Sequence, residues 1–256
     1  MLRSCYFLHF FSTYFPVPAL HRRTEHRNAG RRAGAHLEAK YARAVPSAPI
    51  ATRRASISLI ADRAHYEQVT LAIARAQTSV WIASANVKQL LIEAPIGTRD
   101  RARGRYVPIL DTLQSLADRG VQVRLLHATP PSRPFREELA ARAKRLIPPA
   151  FEMRACPRVH LKMIAIDGAL LYLGSANFTG AGLGAKGDGR RNFEMGVLTD
   201  DEWMLDQVQA RFDRIWRGVE CAACRLRDKC PAPLDGLVRL RATSVRSPSS
   251  RASRRT

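Results

Sequence analysis

Residues 159–177, with the sequence VHLKMIAIDGALLYLGSAN, form two apolar runs joined by Asp167-Gly168. An Asp-Gly pair between apolar runs is a strong local signal of a tight β-hairpin. Side chains two residues apart in a strand share a face, so His160 and Lys162 are predicted to project together. Two polar side chains in an apolar strand are costly to bury, which indicates a site.

The polar positions of this stretch follow the pattern H-x-K-x4-D-x6-G-S-x-N, formed by His160, Lys162, Asp167, Gly174, Ser175 and Asn177. A lysine ammonium offers a charge to phosphate oxygens, while a hydroxyl and an amide add oriented donors. An imidazole can be a nucleophile or a proton carrier near neutral pH. These residues predict a phosphate site, and the alternative is a hairpin with an incidentally exposed His and Lys.

The pattern resembles the HKD signature of the phospholipase D superfamily, and the resemblance extends loosely over residues 56–219. It implies an α/β fold, an α/β/α sandwich with a mixed central sheet, of which this chain is a single HKD half. It also implies that one His attacks phosphorus to form a phosphohistidine while a second His protonates the leaving oxygen. Water completes the hydrolysis, and no cofactor takes part in the chemistry.

Carried over by position, the resemblance makes His160 the nucleophile or the acid. Lys162, Ser175 and Asn177 are then expected to bind the phosphate of the substrate, with Lys162 also part of the catalytic group. The two remaining motif residues are expected to be structural, and they are Asp167 and Gly174.

Glu194 is a further catalytic candidate on a strand predicted over residues 191–198. Members of the superfamily commonly place a Glu on the strand after G-S-x-N, where it hydrogen-bonds the catalytic imidazole. A carboxylate on one ring nitrogen fixes the tautomer and stabilises the imidazolium. The alternative is a surface Glu on an edge strand.

The chain has one HKD motif, whereas the chemistry of the superfamily uses two. A twofold homodimer would pair His160 of each chain in one composite site, because an isologous contact brings the same patch together. Single-motif bacterial members of the superfamily behave in this way.

Alternating apolar strands and amphipathic helices outside the hairpin predict a mixed sheet with helices packed on it. Strands are predicted over 79–85, 121–126, 151–155 and 191–198, and helices over 62–76, 107–119 and 200–219 and from about residue 134. Asp62 is expected to cap the first helix. The segment 96–105 is predicted to be an Arg-rich loop. The repeat of Ser-Ala-Asn at residues 84–86 could line the same pocket, but chance is the preferred explanation.

The net charge of +20 lies mostly at the two ends of the chain. Residues 1–55 contribute +8, residues 237–256 contribute +6, and the longer middle contributes +6. The chain is therefore divided into a basic disordered extension (1–55), a catalytic domain (56–220), a Cys-rich tail (221–236) and a basic disordered tail (237–256). Such tails attract a polyanion, either nucleic acid or an anionic phospholipid surface.

Four cysteines predict a metal site near the carboxyl end of the folded region. Three of them form C-x2-C-x5-C-P, and a fourth precedes the HKD strand; the set is Cys221, Cys224, Cys230 and Cys156. Thiolates at this spacing can converge on a soft metal, either zinc or an iron–sulfur cluster, and the run resembles iron–sulfur tails of some DNA-processing nucleases. Free thiols or a disulfide are the alternatives.

A metal held by thiolates favours a reducing, cytoplasmic location. Residues 6–20 are apolar but too interrupted to span a bilayer, and they make a poor secretory signal, so export is the alternative location.

Three functions follow from these patterns. The first is a phospholipase D-type phosphodiesterase acting on phospholipid. The second is a metal-independent endonuclease that cleaves DNA or RNA with the same site. An inactive phosphate-binding module is the remote third, disfavoured because every motif residue is intact.

Overall fold

The computed structural model describes residues 53–236. The predictions for residues 1–52 and 237–256, including the basic extensions and the apolar amino-terminal stretch, lie outside the described residues.

A seven-stranded mixed sheet forms the centre of the fold, in the order β1-β9-β8-β7-β2-β5-β6, and a separate pair joins β3 to β4. Only β2, β5 and β6 run parallel to one another, and the other neighbouring strands are antiparallel. The strands are β1 (Ser58–Ala61), β2 (Ser79–Ser84), β3 (Leu91–Glu93), β4 (Tyr106–Pro108), β5 (Gln122–His127), β6 (Phe151–Ala155), β7 (Lys162–Ile166), β8 (Leu170–Gly174) and β9 (Met195–Thr199).

Helices cover both faces of this sheet. They are α1 (Leu71–Ala74), which continues a π-helical segment His65–Thr70, and α2 (Arg99–Ala102), α3 (Ile109–Asp118), α4 (Arg133–Ala141) and α5 (Glu202–Trp216). On one face, Ile82 and Ile164 belong to a core that includes Leu113 of α3. On the other face, Met163 and its neighbours pack with Phe212 of α5. The predicted α/β/α sandwich with a mixed sheet is confirmed.

The predicted hairpin is formed by β7 and β8. Asp167 and Gly168 have φ angles of 56° and 63°, and Ala169 N donates to Ile166 O at 2.9 Å. Two successive positive φ angles are typical of a type I′ turn, which matches the twist of paired strands. The strand begins at Lys162, so His160 lies in the segment that leads into it.

Several predicted boundaries were wrong because distant contacts decide them. Asp62 does not cap the first helix: its φ is 46°, and its backbone N–H donates to the carbonyl of Glu194 at 3.0 Å. The predicted strand over 191–198 begins only at Met195, where pairing with β8 starts. The Arg-rich loop contains the short helix α2, capped by the Thr98 hydroxyl, and the β3–β4 pair was not predicted.

The segment after α5 folds back onto the sheet. It contains two 3₁₀ turns, Val219–Cys221 and Arg227–Lys229. Gly218 has a φ of 74°, and a Cβ there would overlap the backbone of Leu234 and Asp235. Leu234 is buried in the same apolar cluster as Trp216. Within the described residues, no helix is both long and apolar enough to cross a membrane.

Candidate active site

The site lies at the ends of three neighbouring strands. Ser84 pairs with Lys162 of β7 on one side and with His127 of β5 on the other. Residues in register share a face, so these three side chains form a row at the carboxyl ends of the parallel strands β2 and β5. The direction of pairing changes at β2, and ligands of open α/β sheets bind at such a change.

His160 and Lys162 lie side by side at the start of β7. The Lys162 ammonium is 3.4 Å from Nδ1 and 3.5 Å from Nε2 of His160, and it donates to the His160 carbonyl at 3.1 Å. His160 is exposed, whereas Val159 is buried behind it. The structure thus places an accessible imidazole next to a cation, as the alternation of the strand predicted.

Asn177 is oriented by the segment that follows β2. Its Oδ1 accepts a hydrogen bond from Asn86 N at 3.2 Å and lies 3.3 Å from the Ser84 hydroxyl. The same hydroxyl accepts from Phe178 N at 2.9 Å. Because the oxygen of the amide is occupied, its nitrogen is the group that can donate to a phosphate oxygen. Sequence reasoning missed this role of Ser84, although the repeated Ser-Ala-Asn triplet was its signal.

Glu194 binds Ser175 and Asn192 within the chain. The Ser175 hydroxyl donates to Oε2 of Glu194, and the Asn192 amide donates to Oε1 at 2.9 Å. Met195 N in turn donates to the Ser175 hydroxyl at 3.1 Å. Between residues 53 and 236, no hydrogen bond joins Glu194 to His160. The carboxylate therefore holds the Ser175 corner in place, and its predicted contact with the imidazole is not formed within one chain.

A buried histidine, His65, lies behind this corner. Its ring packs edge-on against Tyr172 with the ring centroids 5.4 Å apart, and its Nδ1 is 3.0 Å from the carbonyl of Asp62. Burial lowers the pKa of His65, so the ring is neutral at neutral pH. Burial also raises the pKa of Tyr172 to about 12. No sequence signal pointed to His65.

Gly174 has a steric reason to be glycine. The Tyr172 side chain extends over it, and a Cβ at Gly174 or at its strand neighbour Gly196 would overlap the phenol ring or hydroxyl. The hydroxyl of Tyr172 accepts from Ala176 N at 3.3 Å, inside the motif. Gly174 therefore lets Tyr172 support the chain between Ser175 and Asn177.

Asp167 lies at the opposite end of β7 from His160, roughly 20 Å away at 3.3 Å per residue. Its carboxylate accepts from the backbone N–H groups of Gln77, Thr78 and Ser79 at 2.7–3.1 Å, and from the Thr78 hydroxyl at 3.0 Å. Burial would raise the pKa of Asp167, but these hydrogen bonds outweigh it and lower the pKa. The contacts give Asp167 a structural place, tying the hairpin to the start of β2.

The four candidate metal ligands line one small cavity, beneath the turn that precedes His160; they are Cys156, Cys221, Cys224 and Cys230. All four are reduced and partly buried. Burial raises the pKa of the Cys156 thiol, and the other three thiols raise it further because they are near. A backbone hydrogen bond at Leu226 and one from Arg158 lower the pKa of Cys224.

The mixed sheet and the cluster of His160, Lys162 and Asn177 at its edge agree with a phospholipase D-like fold. The family model described as "Cardiolipin synthase, PLD-like domain" matches residues 69–216, and the chain belongs to this family within the phospholipase D-like superfamily of phosphodiesterases. No curated protein sequence matches the chain at a significant level.

This chain is similar to several solved structures, and the match spans 95% of the length of two of them. NucT from Helicobacter pylori is 18% identical over 63% of this chain, with a TM-score of 0.44. Nuc from Salmonella typhimurium, titled a phospholipase D family member, is 16% identical over 64% of this chain, with a TM-score of 0.43. Phosphatidylserine synthase from Haemophilus influenzae is 14% identical over 85% of this chain and 53% of its own, with a TM-score of 0.44. The chain thus spans about half the length of that synthase.

Proposed function

We propose that this chain is a phosphoric diester hydrolase in which His160 forms the covalent phosphohistidine. The proposal rests mainly on one observation. The exposed imidazole of His160, the Lys162 ammonium and the oriented Asn177 amide lie together at one edge of the sheet. A ring nitrogen of His160 bonds to phosphorus as the bond from phosphorus to the leaving oxygen breaks. Lys162 and Asn177 hold the nonbridging oxygens and stabilise the charge that develops on them. Water then attacks phosphorus and releases the imidazole.

A second imidazole is needed to protonate the leaving oxygen, and a homodimer would supply it as His160 of the partner subunit. Within the described residues the other two histidines, His65 and His127, are buried and hydrogen-bonded to backbone carbonyls. The surface beside the site suits contact with a second chain. Phe193, next to Glu194, is 99% exposed, and Met195 is 57% exposed. An apolar surface of this kind next to a polar site marks a contact region.

The substrate class is the finer part of the proposal. The family description supports phospholipid, whereas the loop after Asn177 supports nucleic acid as a second candidate. The loop carries three basic side chains and one acidic one. Arg191 pairs with Asp188, so the net positive charge comes from Lys186 and Arg190. The loop packs on the site, because a Cβ at Gly182 would lie 3.1 Å from Asn177 N. Positive charge at the rim attracts a chain of phosphates over many contacts, and this favours a nucleic acid.

A substrate panel with and without EDTA tests the proposal. Bis(p-nitrophenyl) phosphate should be hydrolysed at the same rate after chelation, because the nucleophile is an imidazole and not metal-bound water. Loss of this activity under chelation that leaves any cysteine-bound metal in place, in a protein still folded by circular dichroism, would overturn the mechanism. Single-stranded DNA, RNA, phosphatidylcholine and cardiolipin are then compared at equal protein concentration. Cleavage of the nucleic acids alone supports the endonuclease, and release of lipid headgroup alone supports the phospholipase.

A further inference from the structure

The cysteine cavity joins two parts of the chain that are far apart in sequence. Cys156 directly follows β6 and opens the turn before His160. Its N–H donates to the His127 carbonyl at 2.8 Å, and its carbonyl accepts from Val159 N at 2.9 Å. The other three cysteines belong to the segment after α5, and Cys224 N donates to the carbonyl of Cys221 at 3.2 Å. Both parts meet at a cavity of about 20 Å³.

We propose that Cys156, Cys221, Cys224 and Cys230 bind one structural Zn²⁺ ion. Four thiolates are a complete tetrahedral ligand set for zinc, and a C-x2-C turn is a common way to present two of them. As placed, the side chains do not yet surround an ion, since the described part of the chain has no group of three or more His, Cys, Asp or Glu residues arranged to hold one. Zinc binding therefore requires the thiols to rotate inward from the walls of the cavity that they already share.

The size of the cavity favours zinc over an iron–sulfur cluster. A volume near 20 Å³ accommodates about one water-sized particle. A single ion fits such a space, whereas a cubane of four irons and four sulfides would require the walls to separate.

The neighbouring charges also suit a zinc tetrathiolate, which carries a net charge of about −2. The guanidinium of Arg158 lies beside Cys224, and that of Arg227 lies beside Cys221 while it pairs with Asp235. A guanidinium stays charged in proteins, so Arg158 in particular would offset the charge of the site and donate to its sulfurs.

The metal would hold the turn that carries the nucleophile. Only three residues separate Cys156 from His160, and Val159 packs in the same apolar cluster as Leu234 of the last segment. The four cysteines would thus fix the approach of the chain to the site, which makes them positioning residues. This consequence for hydrolysis rests on the proposed function, whereas the metal site itself does not.

Elemental analysis of the full chain, purified under reducing conditions without added metal, tests the site directly. We expect roughly one zinc per chain and no stoichiometric iron. In the wild-type protein, modification of the cysteine thiols should release the zinc to a chromogenic chelator. Stoichiometric iron with a visible charge-transfer band would overturn zinc in favour of a cluster. Absence of both metals, with all five thiols of the chain titrating freely or with a disulfide by mass spectrometry, would overturn the metal site.

Single substitutions test the ligand set. Cys156→Ser and Cys224→Ser should each weaken zinc binding at least about tenfold in a competition titration, because the set loses one of its four thiolates. Cys5→Ser is the matched control, since this fifth cysteine lies outside the described residues and outside the proposed set. Unchanged zinc affinity in Cys156→Ser would exclude the fourth ligand. Full zinc loading in a protein without phosphodiesterase activity would leave the metal site standing and contradict only the proposed function.

Discussion

The two ends of strand β7 carry parts of the same motif and have opposite surroundings. At one end the Asp167 carboxylate accepts hydrogen bonds from three consecutive backbone N–H groups and a hydroxyl. At the other end the His160 ring is exposed, and the polar group beside it is the Lys162 ammonium at 3.4 Å. A polar group whose hydrogen bonds are satisfied inside the protein stabilises the fold, whereas one left open can act on a substrate. Motif membership alone therefore does not distinguish a structural residue from a chemical one.

The largest expected effect is that of His160→Asn. The variant loses the proposed nucleophile, so kcat should fall on the order of 10⁴-fold or more. The free energy of unfolding should change by less than about 0.5 kcal/mol, because the side chain is exposed. Single-turnover kinetics and chemical denaturation measure the two quantities. Retention of a tenth of the wild-type kcat in this variant would show that His160 is not the nucleophile.

Lys162→Gln should lower kcat/KM by about 10²–10³-fold, since the variant loses one charge that stabilises the transition state. Lys144→Gln is the matched control, because Lys144 is exposed and lies away from the strand ends of the site. Steady-state kinetics on bis(p-nitrophenyl) phosphate compares them. Equal losses in both variants would show that only the overall charge matters.

Ser84→Ala tests whether the Ser84 hydroxyl, next to Lys162 in the sheet, orients Asn177. We expect kcat to fall about tenfold with KM little changed. The Ser84 hydroxyl donates to the Asn86 carbonyl at 2.7 Å and accepts from Phe178 N, so it joins the two segments that orient the Asn177 amide. Ser84→Thr, which keeps the hydroxyl, should recover part of that loss. No difference between the Ala and Thr variants would indicate that Asn86 alone orients the amide.

At the end of β7 opposite His160, Asp167→Asn should leave kcat unchanged in folded protein. It should reduce the free energy of unfolding by about 1–3 kcal/mol. An amide cannot accept the full set of hydrogen bonds that the carboxylate accepts. Urea denaturation at neutral pH measures the loss. A fall in kcat larger than that in stability would show that the two ends of the strand are coupled.

The same carboxylate predicts a pH dependence of stability. The pKa of Asp167 in the folded chain is lowered from the ordinary 3.8, so its contribution is present above that value and is lost as pH falls through the folded pKa. The difference in unfolding free energy between wild type and Asp167→Asn should therefore shrink below about pH 4. A difference that stayed constant from pH 7 to pH 3 would contradict this assignment.

Local signals predicted the hairpin and the cluster of His160 with Lys162, because a turn and a strand alternation are set by neighbouring residues. They could not predict the position of Asp62, whose left-handed backbone accompanies a hydrogen bond to Glu194, 132 residues away. The partners of Glu194 were also missed, since they depend on where β9 begins its pairing with β8. In each case a contact across the sheet decided the local structure.

Tyr172 and the two glycines around it limit how this corner of the protein can change during evolution. Its ring occupies the space that side chains at Gly174 and Gly196 would need, and its hydroxyl supports Ala176 within the motif. A smaller residue at 172 would not by itself make room, because an added Cβ would also lie 2.7 Å from Met195 O at position 174 and 2.9 Å from Leu173 O at position 196. A smaller residue at 172, in turn, removes the support for the loop and leaves a cavity. The backbone and the tyrosine together therefore restrict positions 174 and 196 to glycine beside Ser175 and Asn177.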